Sequence, residues 1–259
     1  MPEAVRIQKA LADAGVASRR AADALVADGR VTVNGQTAII GQRVDPATDA
    51  LAVDGRPVLM GTRRTYLVLH KPPGVTSTVR DRHADRTVLD LVPPDLASGA
   101  ARLYPVGRLD KDSEGLILLT DDGEWAERLL HPRYGVEREY AVGLSRPLEE
   151  DQARALIDGI ELDEGRAVLA DLRPATAVES RRLDARGESP RQTLVWYLAV
   201  LRQGWRRQLR RMFAAVEAPV GRLVRVRVGS LRLGDMAPGS VRRLSAAERD
   251  RLAAPRGGR

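Results

Sequence analysis

Residues 107–123 read Gly-Arg-Leu-Asp-Lys-Asp-Ser-Glu-Gly-Leu-Ile-Leu-Leu-Thr-Asp-Asp-Gly. Asp110 follows a short apolar segment, Leu103-Tyr-Pro-Val106, and stands close to Arg108; the run Leu116-Ile-Leu-Leu119 comes soon after. Successive apolar residues need cover on both faces, so this run is an inner strand of a sheet. An aspartate ahead of a turn ordinarily serves the turn. One held on rigid backbone beside a cation also suits covalent or electrostatic work on a substrate.

The flanking sequence builds a domain around that strand. Residues 66–70 (Tyr-Leu-Val-Leu-His) form a second buried-type strand, which runs into the rigid turn Lys71-Pro72-Pro73-Gly74. Asp121-Asp122-Gly123 turns the chain into a helix over 124–130, closed by His131-Pro132. Residues 137–142 alternate like a strand, and 147–159 read as a helix with Pro in its first turn and Gly at its end. Strands at 193–201 and 223–228 enclose a helix over 207–216. Strands here often follow one another directly. That order predicts an α+β domain on a mixed, mainly antiparallel sheet with flanking helices, not a doubly wound fold. The arginine-rich residues 180–191 read as a flexible insertion.

A smaller unit comes first. Residues 6–14 put Ile7, Ala10, Leu11 and Ala14 on one helical face, and Gly15 stops that helix. Ser18 caps a second helix over 19–28, ended by Gly29. Arg30-Val-Thr-Val33 is a strand, and Asn34-Gly35 a tight hairpin turn. Two helices and a hairpin in so few residues make an accessory domain, placed at 1–60. Residues 54–64 mix turn formers and charge and read as its linker. The main domain then covers 65–245, and 246–259 is expected to be a disordered basic tail. A short linker keeps the module close to the main domain.

At 259 residues the chain has room for both units. No apolar run is long enough to span a bilayer, and no charged-then-apolar signal pattern opens the chain. A cytoplasmic protein with no membrane partner is therefore expected. The absence of cysteine excludes disulfides and thiolate metal sites. His70, His83 and His131 lack metal-ligand spacing, and no glycine loop cradles a phosphate, so neither metal nor cofactor is expected. The net charge of +7 is unevenly placed: residues 1–60 balance, 61–180 sum to −6, and 181–259 to +13. Of 42 basic residues, 39 are arginine. Arginine binds phosphate in a bidentate way and stacks on bases, so the concentrated excess points to a polyanion such as RNA. No heptad or surplus apolar helix asks for a second copy, and a monomer is the expectation.

These motifs also occur together in a known family. The 107–123 stretch resembles the catalytic signature of the pseudouridine synthases that act on ribosomal RNA. Lys71-Pro72-Pro73-Gly74 through Thr78 is similar to that family's first motif, and Arg138-Glu139-Tyr140 to its basic-x-Tyr motif. Gln208-Leu209-Arg210-Arg211-Met212 resembles its third motif, and residues 231–244 its closing segment. In the front module, Gly15-Val-Ala-Ser-Arg-Arg-Ala-Ala-Asp23 and Gly29-Arg-Val-Thr-Val-Asn-Gly35 resemble the RNA-binding module shared with ribosomal protein S4. Together the resemblance covers residues 5–245. It points to the branch that modifies single uridines in ribosomal RNA, with the large subunit preferred. Two positions and one short stretch depart from the family's pattern. Ser113 replaces Thr and keeps the hydroxyl, Asp121 replaces Asn, and Gln203-Gly204-Trp205-Arg206-Arg207 replaces Glu-Gly-Arg-Asn-Arg.

The resemblance implies a reaction and roles within it. Uridine becomes pseudouridine when C1′–N1 breaks, the uracil turns, and C5 joins C1′; nothing is oxidised or carried away, so no cofactor is needed. Asp110 is implied as the carboxylate at the sugar, which either traps C1′ covalently or takes the 2′ proton to give a glycal. The sequence leaves both routes open. Arg210 is implied as the opposed cation that keeps Asp110 ionised in a dry pocket, and its truncation would strand a buried charge at about 3–5 kcal/mol. Tyr140 is implied to stack under the base and to relay the C5 proton through its hydroxyl. Leu209 would pack beside the uracil, and Arg108 would fill the space left by the flipped nucleotide. Lys71, Gln208 and Arg211 complete the implied substrate contacts. Lys9, Ser18, Arg19, Arg20 and Arg30 are the implied RNA contacts of the front module; Arg19 and Arg20 sit in a first helical turn, where free N–H groups also favour phosphate. The alternative is a non-catalytic RNA-binding ribosome-assembly factor on the same fold, which would have no use for an acid facing a phosphate-rich ligand.

Overall fold

The apolar run of the central motif becomes the strand Glu114–Thr120, buried at every position. The computed structural model describes residues 4–60, 64–79, 86–98, 100, 102–185 and 193–254. It sets this strand between Tyr66–Lys71, antiparallel, and Arg222–Val228, parallel. Across the sheet the order is Asp171–Pro174, Val195–Leu201, Arg138–Leu144, Arg222–Val228, Glu114–Thr120, Tyr66–Lys71 and Val241–Arg243. Tyr104–Val106 and Leu231–Arg232 pair with Glu114–Thr120 and Arg222–Val228 respectively. Every other pairing in this sheet is antiparallel. The fold is α+β on a mixed, mainly antiparallel sheet.

The parallel contact is short and depends on a glycine. Glu114 faces Val224 and Gly115 faces Arg225. Gly115 sits at φ 106°, and a Cβ there would lie 2.3 Å from the Arg225 carbonyl oxygen. The missing side chain lets two backbones meet. Gly115→Ala is expected to lower the melting temperature by roughly 6 °C or more in calorimetry. An unchanged melting temperature would mean the contact is dispensable.

Helices cover both faces of the sheet. On one face, Trp125, Leu129, Leu183 and Leu252 pack against Leu116, Leu118 and Leu198. They bring in helices Gly123–Leu130, Ala177–Asp184 and Ala246–Ala253. On the other face, Leu156, Leu209, Met212 and Phe213 pack against Val142, Leu144 and Leu223. They anchor helices Glu150–Asp158 and Gln208–Ala215. Each fully buried side chain of this kind contributes about 1.5–3 kcal/mol, so packing decides where these helices lie.

The front module has its own core of Ile7, Leu11, Val26 and Val31. Helices Ile7–Asp13 and Arg19–Ala27 stand beside a small sheet ordered Gln36–Thr37, Val31–Val33, Leu51–Val53, Arg56–Pro57. Ser18 caps the second helix by accepting from the Ala21 N–H at 3.3 Å. Contacts reach across to the main domain: Lys9 Nζ lies 2.7 Å from Asp13 and 3.1 Å from Glu124. Arg64 donates to the carbonyls of Asp13 and Asp121, both at 3.1 Å.

Three boundary expectations change. Residues 54–57 belong to the module, because Asp54 and Gly55 form a hairpin turn that returns Arg56–Pro57 onto Leu51–Val53. Residues 180–184 lie in helix Ala177–Asp184, held by a Thr176/Glu179 capping box; the rest of the expected insertion, from 186, lies outside the described residues. The expected disordered tail begins with helix Ala246–Ala253, closed by a Ser245/Glu248 capping box and the buried Leu252. Arg242 grips Glu248 at 2.8 and 2.9 Å and holds its carboxyl at about 2. Residues 255–259 lie outside the described residues.

Candidate active site

Hydrogen bonds from several segments fix the loop that carries Asp110. Ser77 Oγ donates to the Leu109 carbonyl at 2.8 Å and accepts the Leu109 N–H at 3.0 Å. The Gly74 N–H donates to Lys111 O at 2.8 Å, and the Ser113 N–H closes the turn on Asp110 O at 3.1 Å. Arg225, 4% exposed, donates from Nε to Leu116 O at 2.7 Å and from Nη1 to Arg108 O at 3.5 Å. One guanidinium therefore ties both arms of the loop together.

Asp110 lines a cleft of about 630 Å³ together with Arg108, Leu109, Tyr140, Leu209 and Arg225. Its side chain keeps 32% exposure, so it is open to a ligand and not sunk in the core. Tyr140 is half-buried on the strand Arg138–Leu144 and packs against the cores on both sides of it. Leu209 is buried at the start of helix Gln208–Ala215. Gln208 is buried too: its Nε2 donates to Gln203 Oε1 at 2.8 Å and its Oε1 accepts the Trp205 N–H at 3.2 Å, which shapes the cleft's rim.

The cation beside Asp110 is not the expected one. Arg207, in a left-handed conformation at φ 50°, puts Nη1 3.8 Å from Asp110 Oδ2 and 3.1 Å from Asp112 Oδ1. Arg210 instead donates to Val220 O at 2.9 Å and to Asp112 O at 3.3 Å, and its Nε lies 3.3 Å from the Asp112 carboxylate. The reason is geometric. Arg207 stands just before the helix and turns back over the loop, while Arg210, one turn further in, is captured by the Val220 carbonyl. Asp112 is 49% exposed, which puts its pairing near the usual 0–1 kcal/mol of surface ion pairs, not the 3–5 expected. Burial opposes its ionisation, yet Arg207 and Arg210 outweigh that and hold the carboxyl below the ordinary range.

Two other implied substrate contacts also lie elsewhere. Arg211 grips Glu164 at 2.7 and 2.8 Å, away from the cleft lining. Lys71 is fully buried behind the loop and donates to Pro72 O at 2.9 Å and Lys111 O at 3.3 Å. Burial pushes its ammonium down to about 8, although Glu114, Asp112 and Asp110 pull the other way. Between about pH 8 and the ordinary lysine value near 10.4, the unfolded chain binds a proton that the folded chain does not, so stability rises with pH there. The melting temperature of the protein relative to Lys71→Met is expected to increase from pH 7 to pH 9.5. A flat difference would contradict the buried, depressed lysine.

In the front module Ser18, Arg19 and Arg20 are exposed. Lys9 faces the main domain through Glu124, and Arg30 is held by Asp54 through a bidentate pair at 2.9 and 2.5 Å. Among the described residues the sequence missed Arg138, Arg202, Arg206, Arg207 and Arg225 as cleft-lining cations. A signal for Arg225 was present: an arginine within the apolar strand Leu223-Val-Arg-Val226 has to find a buried role.

Comparison with known proteins identifies this arrangement. The RNA pseudouridylate synthase family model matches residues 65–215, and the S4 domain model residues 5–49. The chain belongs to the RNA pseudouridylate synthase family. It is 40% identical over 248 residues to an uncharacterized RNA pseudouridine synthase of Mycobacterium tuberculosis, covering 95% of this chain and 92% of that one. It is 37% identical over 257 residues to ribosomal large subunit pseudouridine synthase B of Pseudomonas aeruginosa, covering 97% of this chain and 62% of that protein. A crystal structure of a pseudouridylate synthase superposes with a TM-score of 0.63 at 25% identity, covering 96% of this chain and 99% of the other. The synthase is thus an isomerase with an S4 domain ahead of its catalytic domain. No helix among its described residues is long and apolar enough to cross a membrane.

Proposed function

We propose that the synthase converts one uridine of large-subunit ribosomal RNA to pseudouridine in the cytoplasm, with Asp110 as the carboxylate at the ribose. The observation that carries this reading is the accessible Asp110, on a loop tied down by Ser77 and Arg225, sharing its cleft with Tyr140. The name of the Pseudomonas relative supports the large subunit.

In the proposed reaction the flipped nucleotide enters the cleft with its uracil against Tyr140 and Leu209. Arg207 Nη1 stands 3.8 Å from the Asp110 carboxylate and leaves it open to the ribose. The carboxylate then acts at C1′ or at the 2′ proton while the C1′–N1 bond breaks. The uracil turns and C5 bonds to C1′ as the carboxylate leaves C1′ or returns the proton to C2′; the C5 proton then leaves, with N1 taking up a proton in exchange. Atoms balance, and Tyr140 is the hydroxyl on hand to relay the proton. The exposed Ser18, Arg19 and Arg20 give the S4 domain a phosphate-binding edge close to the catalytic domain.

The test is ribosomal RNA tritiated at uracil C5, with tritium release followed over time. Release at a defined uridine supports the reading. Tight binding without release would favour a non-catalytic assembly factor.

A further inference from the structure

Many arginines of this chain are held by a carboxylate, as Arg30 is by Asp54, Arg173 by Glu179, Arg222 by Glu114 and Arg242 by Glu248. One group is not. Arg128 on helix Gly123–Leu130, Arg133 in the 3-10 turn Pro132–Tyr134 and Arg251 on helix Ala246–Ala253 line a second cleft, of about 520 Å³. Among the described residues none of the three forms an ion pair with Asp or Glu. Arg133 donates to Tyr134 Oη at 2.5 Å, and Arg251 to Ala247 O at 3.1 Å. Three like charges brought from three elements to one cleft repel each other, and salt only partly screens them. An anion in the cleft would relieve that repulsion.

Two further features narrow the ligand. Tyr134 lines the same cleft, with the Arg133 guanidinium 4.6 Å above its ring. Paired arginine and aromatic faces of this kind suit an unstacked base. The 3-10 turn that carries Arg133 and Tyr134 is also the wall of the active cleft, because Pro132 and Leu130 line that cleft on its other side. A strand that places one nucleotide beside Asp110 therefore has neighbours within reach of this wall.

We infer that the second cleft holds single-stranded RNA flanking the modified nucleotide. Its arginines take backbone phosphates, and Tyr134 takes a neighbouring base. The inference rests on the proposed function in one respect, that the nucleotide in the active cleft belongs to an RNA strand.

Filter binding of an unmodified large-subunit rRNA transcript across a KCl series tests it, using the full chain. The double variant Arg133→Ala/Arg251→Ala is compared with Arg154→Ala/Arg181→Ala, which removes the same charge from exposed helix positions outside both clefts. The first pair is expected to bind roughly tenfold more weakly and to flatten the salt slope by about 1.5, as two lost phosphate contacts require; the second pair is expected to keep the parent slope. Tyr134→Leu is expected to weaken binding roughly tenfold with the slope unchanged. Tritium release by Arg154→Ala/Arg181→Ala should match that of the parent. Equal affinity and slope for the two double variants would overturn the inference. Failure of the proposed function shows separately, as absence of tritium release by the unmutated protein, and the slope comparison then still decides the cleft.

Discussion

Asp110→Asn is expected to reduce tritium release by about 10⁴-fold or more while RNA affinity stays within a small factor. The amide keeps the size of the side chain and can still sit in the turn that the Ser113 N–H closes on Asp110 O. What disappears is the negative oxygen that the proposed function sets to attack C1′ or take the 2′ proton. Arg207 loses one of two carboxylates, since Asp112 still holds it at 3.1 Å, so the fold is not left with a stranded charge. Filter binding and single-turnover tritium release on the same RNA separate the two quantities. A large loss of affinity with turnover preserved at saturation would contradict the assigned role.

Arg225→Met is expected to lower the rate at saturating RNA by about 100-fold, with a smaller change in affinity. Arg225 reaches Leu116 O and Arg108 O, and so joins the two arms of the loop between which Asp110 sits. Methionine fills much of the space but donates nothing. The buried Leu116 carbonyl and the Arg108 carbonyl then lose the bonds Arg225 gives them, and the loop loosens by the fraction of an ångström that near-attack geometry cannot tolerate. Arg225→Lys keeps a donor and should recover part of the rate, which a role in bulk packing alone would not predict. If Arg225→Met turned over at the parent rate, the loop would have to be held by Ser77 and Gly74 without it.

Much of the cleft's lining is legible in the sequence because chemistry and local backbone coincide there. Asp110, Leu109, Arg108, Tyr140, Gln208 and Leu209 all line one cleft, and each sits in a motif whose residues are close in sequence. The same resemblance assigns Arg210 to Asp110 and Arg211 and Lys71 to the substrate, and the structure gives all three other partners. Long side chains choose among acceptors that only the packed chain provides: Val220 O for Arg210, Glu164 for Arg211, Lys111 O for Lys71. The helix after residue 245 was missed for a related reason. Its capping box was present in the sequence, but its hold on the domain comes from Arg242 and from the burial of Leu252.

By itself the sequence determined the alternation of strands and helices, the two-part organisation, the positive excess and the acid at 110. These follow from periodicity, turn chemistry and charge, which act over a few residues and need no partner. Tertiary structure decided which arginine stands against that acid. It also brought Arg225 beneath the loop through the side-chain-free contact at Gly115, and gathered Arg128, Arg133 and Arg251 around one cleft. Such choices are made between segments far apart in the chain, where distance in space, not residue type, sets the interaction.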